Sequence, residues 1–259
     1  MDAAHEGLKP QALNLTLINL QLMIPFMAKY FMICLLLLFF TACNPKIGGG
    51  LRKNDIKKDV EMITDKGTLV IRLSDLTPLH RNNFLQLVKQ HYYDSILFHR
   101  VINHFMIQAG DPASKNAAPS AILGNGGPSY TIPAEFNAVL FHKKGVIAAA
   151  RQGDDTNPKK ASSGSQFYIV QGRIFTDAGL DSVETFRLKG RKLPVTHRAV
   201  YKTLGGTPHL DSSYTVFGEV IRGLDTIDSI ANMPTTGRQG GDRPLHDIRI
   251  IKAQLIKRK

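Results

Sequence analysis

Short apolar runs separated by glycine-rich and polar turns dominate the sequence after residue 59. Residues 60–64 and 68–73 flank the turn Asp65-Lys66-Gly67, a pattern that predicts a β-hairpin. Other runs of strand length are rich in β-branched and apolar residues. They predict further strands at 97–102, 105–109, 146–150, 166–170, 215–221 and 248–256.

Two segments carry the signals of helices. Thr77 followed by Pro78 predicts an N-cap and the first helical residue. The apolar spacing that follows predicts a helix over about 78–90, and a second, short helix is predicted at 224–231. Many short strands with few helices, and no internal repeat, predict a mainly β domain, either a barrel or a sandwich capped by helices.

The stretch 110–129 is rich in glycine, proline, asparagine and serine and contains no predicted strand or helix. A loop of this length is either functional or flexible. The sequence leaves both possibilities open.

The N-terminal region has the pattern of a targeting signal. Residues 31–40 form a run of ten apolar residues behind Lys29, too short to span a bilayer but typical of a signal peptide. The small residues Thr41 and Ala42 precede Cys43, and this resembles the lipobox of bacterial lipoproteins, in which the cysteine is diacylated. The alternative is a secretory signal with an incidental cysteine.

These signals predict three parts of the chain. Residues 1–42 are a dispensable extension and lipoprotein signal peptide, with Met27 as the preferred start, and 43–59 are a tether. Residues 60–257 form the folded domain. A lipidated Cys43 predicts a lipid-anchored protein of the bacterial cell envelope, on the periplasmic face of the outer membrane.

Charge and cysteine content exclude several functions. The chain has 33 basic and 21 acidic residues, a net charge of +12, but no basic run of five, so an ordinary basic surface is predicted and no nucleic-acid partner. Both cysteines, Cys34 and Cys43, lie near the N-terminus, which leaves the domain without thiolate ligands. The histidine spacing matches no standard metal pattern. No metal or other cofactor is therefore expected.

The segment FHRVINHFMIQAGDP contains the most informative chemistry. Alternation along a strand places Arg100 on the same face as the apolar Phe98 and Ile102. A guanidinium among apolar groups is costly unless its charge is paired or used. It either pairs with a carboxylate, such as Asp111 or Glu135, or it has a functional role.

The same segment closely resembles the FHR and FMIQ-GDP signature of cyclophilins, a family of peptidyl-prolyl cis-trans isomerases. The resemblance continues through GNGGP at 124–128 and SQFYI at 165–169, and it covers about 60–256. It implies a closed eight-stranded antiparallel β-barrel capped by two helices, with the groove on its outer wall. It also implies a monomer that acts on proline-containing polypeptides.

The resemblance assigns roles to individual residues. Arg100 matches the catalytic arginine, and Tyr168 replaces the second phenylalanine of the common SQFFI. His209 and Tyr214 stand where many members have tryptophan and histidine. The positions matching the substrate-binding site are Phe105, Met106, Gln108, Ala150, Arg151, Gln166, Tyr168, Leu210, His209 and Tyr214.

Residues 173–206 form an insertion that compact members of the family lack. Its apolar spacing predicts partly helical structure, with a break near Pro194, and its charged residues give a net charge of +4. It is either a surface excursion or a partner-binding or lid element. For the whole domain, the alternative to catalysis is a silent peptide-binding or chaperone module on the same fold.

Overall fold

A computed structural model describes residues 50–258. The predicted signal peptide and Cys43 lie outside these residues. The strands are β1 Lys58–Thr64, β2 Gly67–Leu73, β3 Arg100–Ile102, β4 Met106–Ala109, β5 Thr131–Ile132, β6 Val146–Ala149, β7 Ser162–Ser163, β8 Phe167–Val170, β9 Val216–Arg222 and β10 Ile250–Lys257. The α-helices are α1 Pro78–Lys89, α2 Asp177–Ser182, α3 Val195–Thr203 and α4 Leu224–Ala231.

Eight of the strands form one antiparallel sheet in the order β10-β1-β2-β9-β6-β8-β4-β3, and β5 pairs with β7 separately. The predicted hairpin is β1 and β2, with Thr64 opposite Gly67. All four residues of β6 and of β8 are buried. Because these strands carry apolar clusters on both faces, they appear in the sequence as continuous apolar runs.

The prediction of a closed barrel is wrong, because the sheet is an open half-barrel. Its edge strands β3 and β10 share no ladder. Three backbone hydrogen bonds, of 2.8 to 2.9 Å, join 95–98 to 248–250 instead. The chain before β3 pairs only through an isolated bridge at Leu97, so the strand predicted from 97 begins at Arg100.

The irregular start of β3 also changes which face Phe98 occupies. Phe98 is 1% exposed and packs in the main core with Val101. Arg100 and Ile102 are half-buried and project from the other face. Strict alternation therefore misplaced Phe98, because residues 98 and 99 precede the regular strand.

Helices α1 and α4 confirm the two helical predictions, but the cap of α1 differs from the expected one. Thr77 occupies the N-cap position, yet its side chain makes no capping bond. Instead, Glu135 accepts hydrogen bonds from the backbone N–H groups of Leu79 (3.0 Å) and His80 (2.9 Å). A carboxylate from a distant loop therefore satisfies the free donors of the first turn.

Glu135 also takes part in a buried polar chain. His80 Nδ1 donates to Glu135 Oε2 at 2.6 Å, and Nε2 lies 2.9 Å from Ser162 Oγ. Burial lowers the pKa of His80, and Glu135 acts in the opposite direction. The arrangement resembles a hydrolytic triad, but Ser162 is 1% exposed, so the hydroxyl is out of reach of a substrate and the chain is structural.

The folded domain begins earlier than predicted. Leu51, placed in the predicted tether, is fully buried in the main core. Asp55 accepts hydrogen bonds from the Arg52 N–H (3.0 Å), Lys89 (2.8 Å) and Lys58 (3.1 Å). Burial acts to raise the pKa of Asp55, but these donors outweigh it and hold the pKa well below its usual range. Residues 51–57 therefore pack against α1 rather than forming a tether.

The insertion 173–206 has a small core of its own. It contains α2, a π-helical turn at Val183–Arg187 and α3. Hydrogen bonds from Lys192, Arg198 and the Leu193 N–H surround the buried Glu184 and lower its pKa to about 2. The buried apolar residues are Phe175, Leu180, Val183, Leu193 and Tyr201. Phe186 is 78% exposed, because the π-helical turn breaks the 3.6-residue period that would keep it on the apolar face.

We expect Glu135→Ala to lower the free energy of unfolding by about 2 to 3 kcal/mol, because it removes a helix cap and leaves the buried His80 without its partner. Urea denaturation monitored by circular dichroism measures the change. Glu219→Ala is the control, because Glu219 pairs with Lys143 at the surface and its loss should cost less than about 1 kcal/mol. An equal effect of the two substitutions would contradict the capping role.

Candidate active site

A cavity of about 420 Å³ opens on the outer face of the sheet beside β3, β4 and β8. Every residue that the sequence assigned to catalysis or substrate binding lines it, except Gln166 and His209. Those that line it are Arg100, Phe105, Met106, Gln108, Ala150, Arg151, Tyr168, Leu210 and Tyr214.

Strand register places the key side chains next to one another. Arg100 on β3 is opposite Gln108 on β4, and Gln108 is opposite Tyr168 on β8. Residues directly opposite in antiparallel strands project from the same face with their Cβ atoms about 5 Å apart. A cation, an amide and an aromatic ring therefore form one row across the sheet.

A chain of polar contacts holds this row in place. Arg100 Nη1 donates to Gln108 Oε1 at 3.4 Å, and Gln108 Nε2 donates to Gln166 Oε1 at 3.1 Å. Gln166 Nε2 donates in turn to the carbonyls of Gly124 and Gly126, both at 2.8 Å. Gln166 is 8% exposed. It therefore supports the row from behind instead of lining the cavity.

Asp111 holds the long loop 110–129 from the other side. Its carboxylate accepts hydrogen bonds from the N–H groups of Gly124 (2.6 Å) and Gly126 (3.2 Å). A Cβ at position 126 would collide with this carboxylate, so glycine is required there. Gln166 on the carbonyls and Asp111 on the N–H groups together fix the loop as one wall of the cavity, through Leu123, Gly124 and Asn125.

The floor of the cavity is apolar. Met106 and Tyr168 are 2% and 4% exposed, and Phe105 and Leu210 pack against the same outer cluster. The ring of Tyr214 meets that of Tyr168 edge to face, with centroids 5.8 Å apart. An apolar, preformed floor of this kind suits a compact aliphatic ring.

The hydroxyl of Tyr168 begins a buried chain that leads into the insertion. It lies 2.9 Å from His142 Nε2, and His142 Nδ1 lies 3.0 Å from Asp211 Oδ1. Tyr201, on α3 of the insertion, donates to the same carboxylate at 2.8 and 2.9 Å. Burial, together with Asp211, raises the pKa of Tyr201 and keeps its phenol protonated as a donor. The insertion is thus linked to the floor of the cavity.

Comparison with known proteins agrees with this geometry. The family model "Cyclophilin type peptidyl-prolyl cis-trans isomerase/CLD" matches residues 59–255. Two relatives carry the printed name "Putative peptidyl-prolyl cis-trans isomerase". The one from Staphylococcus saprophyticus is 35% identical over 214 residues, covering 82% of this chain and 98% of that protein. The one from Staphylococcus aureus strain USA300 is 36% identical over 205 residues, covering 79% and 93%. The chain belongs to the cyclophilin family.

Solved structures show the same fold. A crystal structure of a Cryptosporidium parvum cyclophilin-type isomerase has a TM-score of 0.56 at 24% identity, and it covers 78% of this chain and 99% of that one. A second crystal structure of that protein, in the presence of the dipeptide Ala-Pro, has a TM-score of 0.55 at 23% identity, covering 77% and 99%. Family and relatives together identify the chain as a peptidyl-prolyl cis-trans isomerase.

The carboxylate near Arg100 in this cyclophilin is neither of the two considered from the sequence. Asp111 clamps the loop and Glu135 caps α1, whereas Asp242 Oδ2 lies 3.6 Å from Arg100 Nε. The carbonyl of Asp242 also accepts a hydrogen bond from the Val101 N–H at 2.9 Å, which fixes its loop beside β3. No spacing in the sequence signals this contact, because Asp242 follows a turn near the far end of the domain. Its loop also contributes Arg238 and Gly241 to the cavity wall.

His99 lines the cavity behind Arg100 and was not among the predicted site residues. It is 3% exposed, and neither ring nitrogen has a hydrogen-bond partner within residues 50–258. Burial lowers the pKa of His99 to about 4. The imidazole is therefore neutral at pH 7 and adds no charge to the site.

Ala150 and Arg151 contribute to the site differently from one another. The N–H of Ala150 donates to the Gln166 carbonyl at 3.0 Å, and its carbonyl accepts from the Ser163 N–H at 2.8 Å. The main-chain groups of Arg151 make no such bonds within the described part of the chain. The Arg151 guanidinium is anchored by Asp154 (2.7 Å) and lies 4.5 Å from the centroid of Tyr214. Of the pair, Arg151 therefore offers free main-chain groups beside the cavity.

His209 lies outside the cavity, contrary to its assignment from the sequence. It stacks on Phe105 with ring centroids 5.6 Å apart and an interplanar angle of 26°. Phe105 lines the cavity, whereas His209 lines the neighbouring groove. His209 therefore supports Phe105 from outside the cavity, and its predicted contact with substrate stays a prediction.

Residues 50–258 contain no group of three or more histidine, cysteine or carboxylate side chains placed to hold a metal ion. None of the helices in this part of the chain is both long and apolar enough to cross a membrane.

We expect Asp242→Asn to lower kcat about two- to fivefold with little change in KM, because the guanidinium of Arg100 loses the charge that orients it. NMR exchange measurements at several peptide concentrations separate the two constants. Asp225→Asn, on the exposed first turn of α4, is the matched control. An unchanged or higher kcat for Asp242→Asn would show that Asp242 does not position Arg100.

Proposed function

We propose that this isomerase accelerates rotation about X-Pro bonds through Arg100, as the donor that recognises the twisted amide. The uncatalysed barrier is about 18 to 20 kcal/mol, because rotation breaks the resonance of the peptide bond. Neither a nucleophile nor a metal is needed to lower it. The observation that carries the proposal is a partly exposed guanidinium beside a cavity whose apolar floor is large enough to hold a proline ring.

The stabilisation acts on the transition state. In the planar amide the prolyl nitrogen shares its lone pair with the carbonyl, and in the twisted amide it holds that pair itself. A hydrogen bond from Arg100 to this nitrogen is then strongest when the bond is half rotated, which is the condition for catalysis. The contacts of Arg100 to Gln108 and Asp242 hold the guanidinium in place beforehand.

The other residues hold one side of the bond while the other side turns. The apolar floor of Phe105, Met106, Tyr168 and Leu210 takes the pyrrolidine ring. Gln108 and the main-chain groups of Arg151 bind the substrate backbone. A silent peptide-binding module would bind the same sequence without turnover, and the availability of Arg100 at the cavity favours catalysis over that alternative.

We expect Arg100→Ala to lower kcat/KM by about 10² to 10³, the usual effect of removing one transition-state donor. A protease-coupled tetrapeptide assay measures it. Circular dichroism and the urea midpoint should stay near wild type, because Arg100 is at the surface of the cavity. Arg222→Ala, on the exposed end of β9, is the matched control. Near-wild-type turnover by a folded Arg100→Ala protein would remove Arg100 from the mechanism.

We further propose that the enzyme is a lipoprotein of the cell envelope and acts on exported proteins. The support is the apolar run 31–40 followed by Thr41, Ala42 and Cys43. One acyl chain binds membranes only marginally, whereas the two chains of a diacylated cysteine give stable attachment. No acidic cluster follows Cys43, which favours the periplasmic face of the outer membrane.

We expect Cys43→Ser, in the full chain, to abolish labelling by an alkyne fatty acid and to move the protein out of the membrane fraction. The wild-type chain and a Cys34→Ser chain should both be labelled, since Cys34 lies within the apolar run. Retention of label and membrane binding by Cys43→Ser would show that the anchor is elsewhere. Isomerase activity of the released protein should be unchanged.

A further inference from the structure

A second groove, of about 620 Å³, adjoins the proline cavity. Phe105 lines both, and its stack with His209 forms the wall between them. The outer side of the groove is built by the insertion, through Arg173, Phe186 and Arg187 among others. We call it the insertion groove. A polypeptide with its proline in the cavity can therefore extend directly into a surface that the insertion provides.

The insertion groove has an unbalanced positive charge. Arg173 and Arg187 line it, no aspartate or glutamate does, and neither guanidinium forms an ion pair with any residue in 50–258. The three carboxylates of the insertion are occupied by other cations. Asp177 pairs with Arg198 and Lys202, Asp181 with Arg198, and Glu184 with Lys192 and Arg198. The fold thus neutralises its own acidic residues away from the groove.

His209 adds no charge of its own to this surface. Burial, followed by the nearby positive charge of Arg187, lowers its pKa to about 4. At pH 7 the imidazole is neutral, so the positive potential of the groove comes from the two guanidiniums. Both arginines line the same groove as His209, which forms the wall shared with the proline cavity.

The remaining lining suits a peptide more than a free ion. Phe186 is 78% exposed, and the guanidinium carbon of Arg173 lies 4.9 Å from the centroid of the Phe175 ring. Apolar surface and two donors of fixed charge are the features of a recognition site.

We propose that the insertion groove binds acidic residues flanking the proline of a polypeptide substrate. The proposal rests on the isomerase function and names the class of substrate that the insertion selects. Carboxylates match the two unpaired guanidiniums, which favour paired hydrogen bonds with such groups. Three extended residues span about 10 Å, so the acidic positions lie within a few residues of the proline.

The N-terminal segment of this chain is a poorer occupant. Its first 49 residues contain only two acidic residues, Asp2 and Glu6, against Lys9, Lys29 and Lys46. It therefore lacks the charge that the groove requires. Continuity with the proline cavity favours the flank of a bound substrate, which is brought to the groove whenever its proline is engaged.

The test uses Ala-Ala-Pro-Ala peptides extended by three Glu, three Gln or three Lys residues, before or after the core. NMR exchange spectroscopy gives kcat/KM for each peptide without a coupling protease. On one side of the proline, we expect Glu peptides to exceed Lys peptides by about three- to tenfold at low ionic strength. Added salt should reduce this ratio.

Variants then locate the preference. Arg173→Gln/Arg187→Gln should bring the ratio of Glu to Lys peptides close to one, and Arg173→Glu/Arg187→Glu should invert it. Lys252→Gln/Lys257→Gln removes the same charge from the exposed residues of β10 and should keep the wild-type ratio. A wild-type ratio of one on both sides, or a ratio that survives in Arg173→Gln/Arg187→Gln, would overturn the proposal. If the wild-type protein did not isomerise the unextended peptide, that result would instead contradict the isomerase function.

Discussion

The antiparallel register of β3, β4 and β8 is the constraint on which the site depends. It sets Arg100, Gln108 and Tyr168 side by side on the outer face of the sheet. A shift of one residue in any of these strands would send its site residue into the main core. The apolar residues on the inner face resist such a shift, because Val101 and Ile107 would have to become exposed. Core packing thus holds the active residues in line.

Polar networks then convert this register into a shaped cavity. The amide of Gln166 bonds to Gln108 on β4 and to a carbonyl of the loop 110–129, so it ties that loop to the sheet. The carboxylate of Asp111 holds the same loop through its N–H groups. Buried polar chains of this kind are stable only when every member has a partner. Asp211 has a similar linking role toward the insertion. Its carboxylate bonds to both Tyr201 of the insertion and His142, the residue next to the Tyr168 hydroxyl. The insertion is therefore part of the architecture of the site.

This arrangement also explains why the insertion can contribute to specificity without disturbing the chemistry. Bond rotation needs only an apolar seat, one well-placed donor and a hold on the backbone. The sheet provides Arg100, Met106, Gln108 and Tyr168, whereas the insertion adds surface beyond Phe105 and His209. The carboxylates of the insertion form ion pairs within the insertion itself, and its unpaired Arg173 and Arg187 line the insertion groove. Catalysis and recognition of flanking residues thus reside on separate elements.

Local signals in the sequence were enough to determine the eight strands of the main sheet and both capping helices, and the resemblance to cyclophilins gave most of the cavity lining. Apolar runs, turn residues and the Thr77-Pro78 start depend on neighbours a few residues away, and a gapless motif places Arg100 and Gln108 on paired strands. These local signals did not predict contacts between distant segments of the chain. The carboxylate of Asp242, the cap from Glu135 and the position of His209 behind Phe105 each join residues far apart in the chain. The open edge between β3 and β10 likewise depends on the irregular backbone before β3. Only the tertiary structure decided these features, because they depend on which groups meet in space, and periodicity carries no information about that.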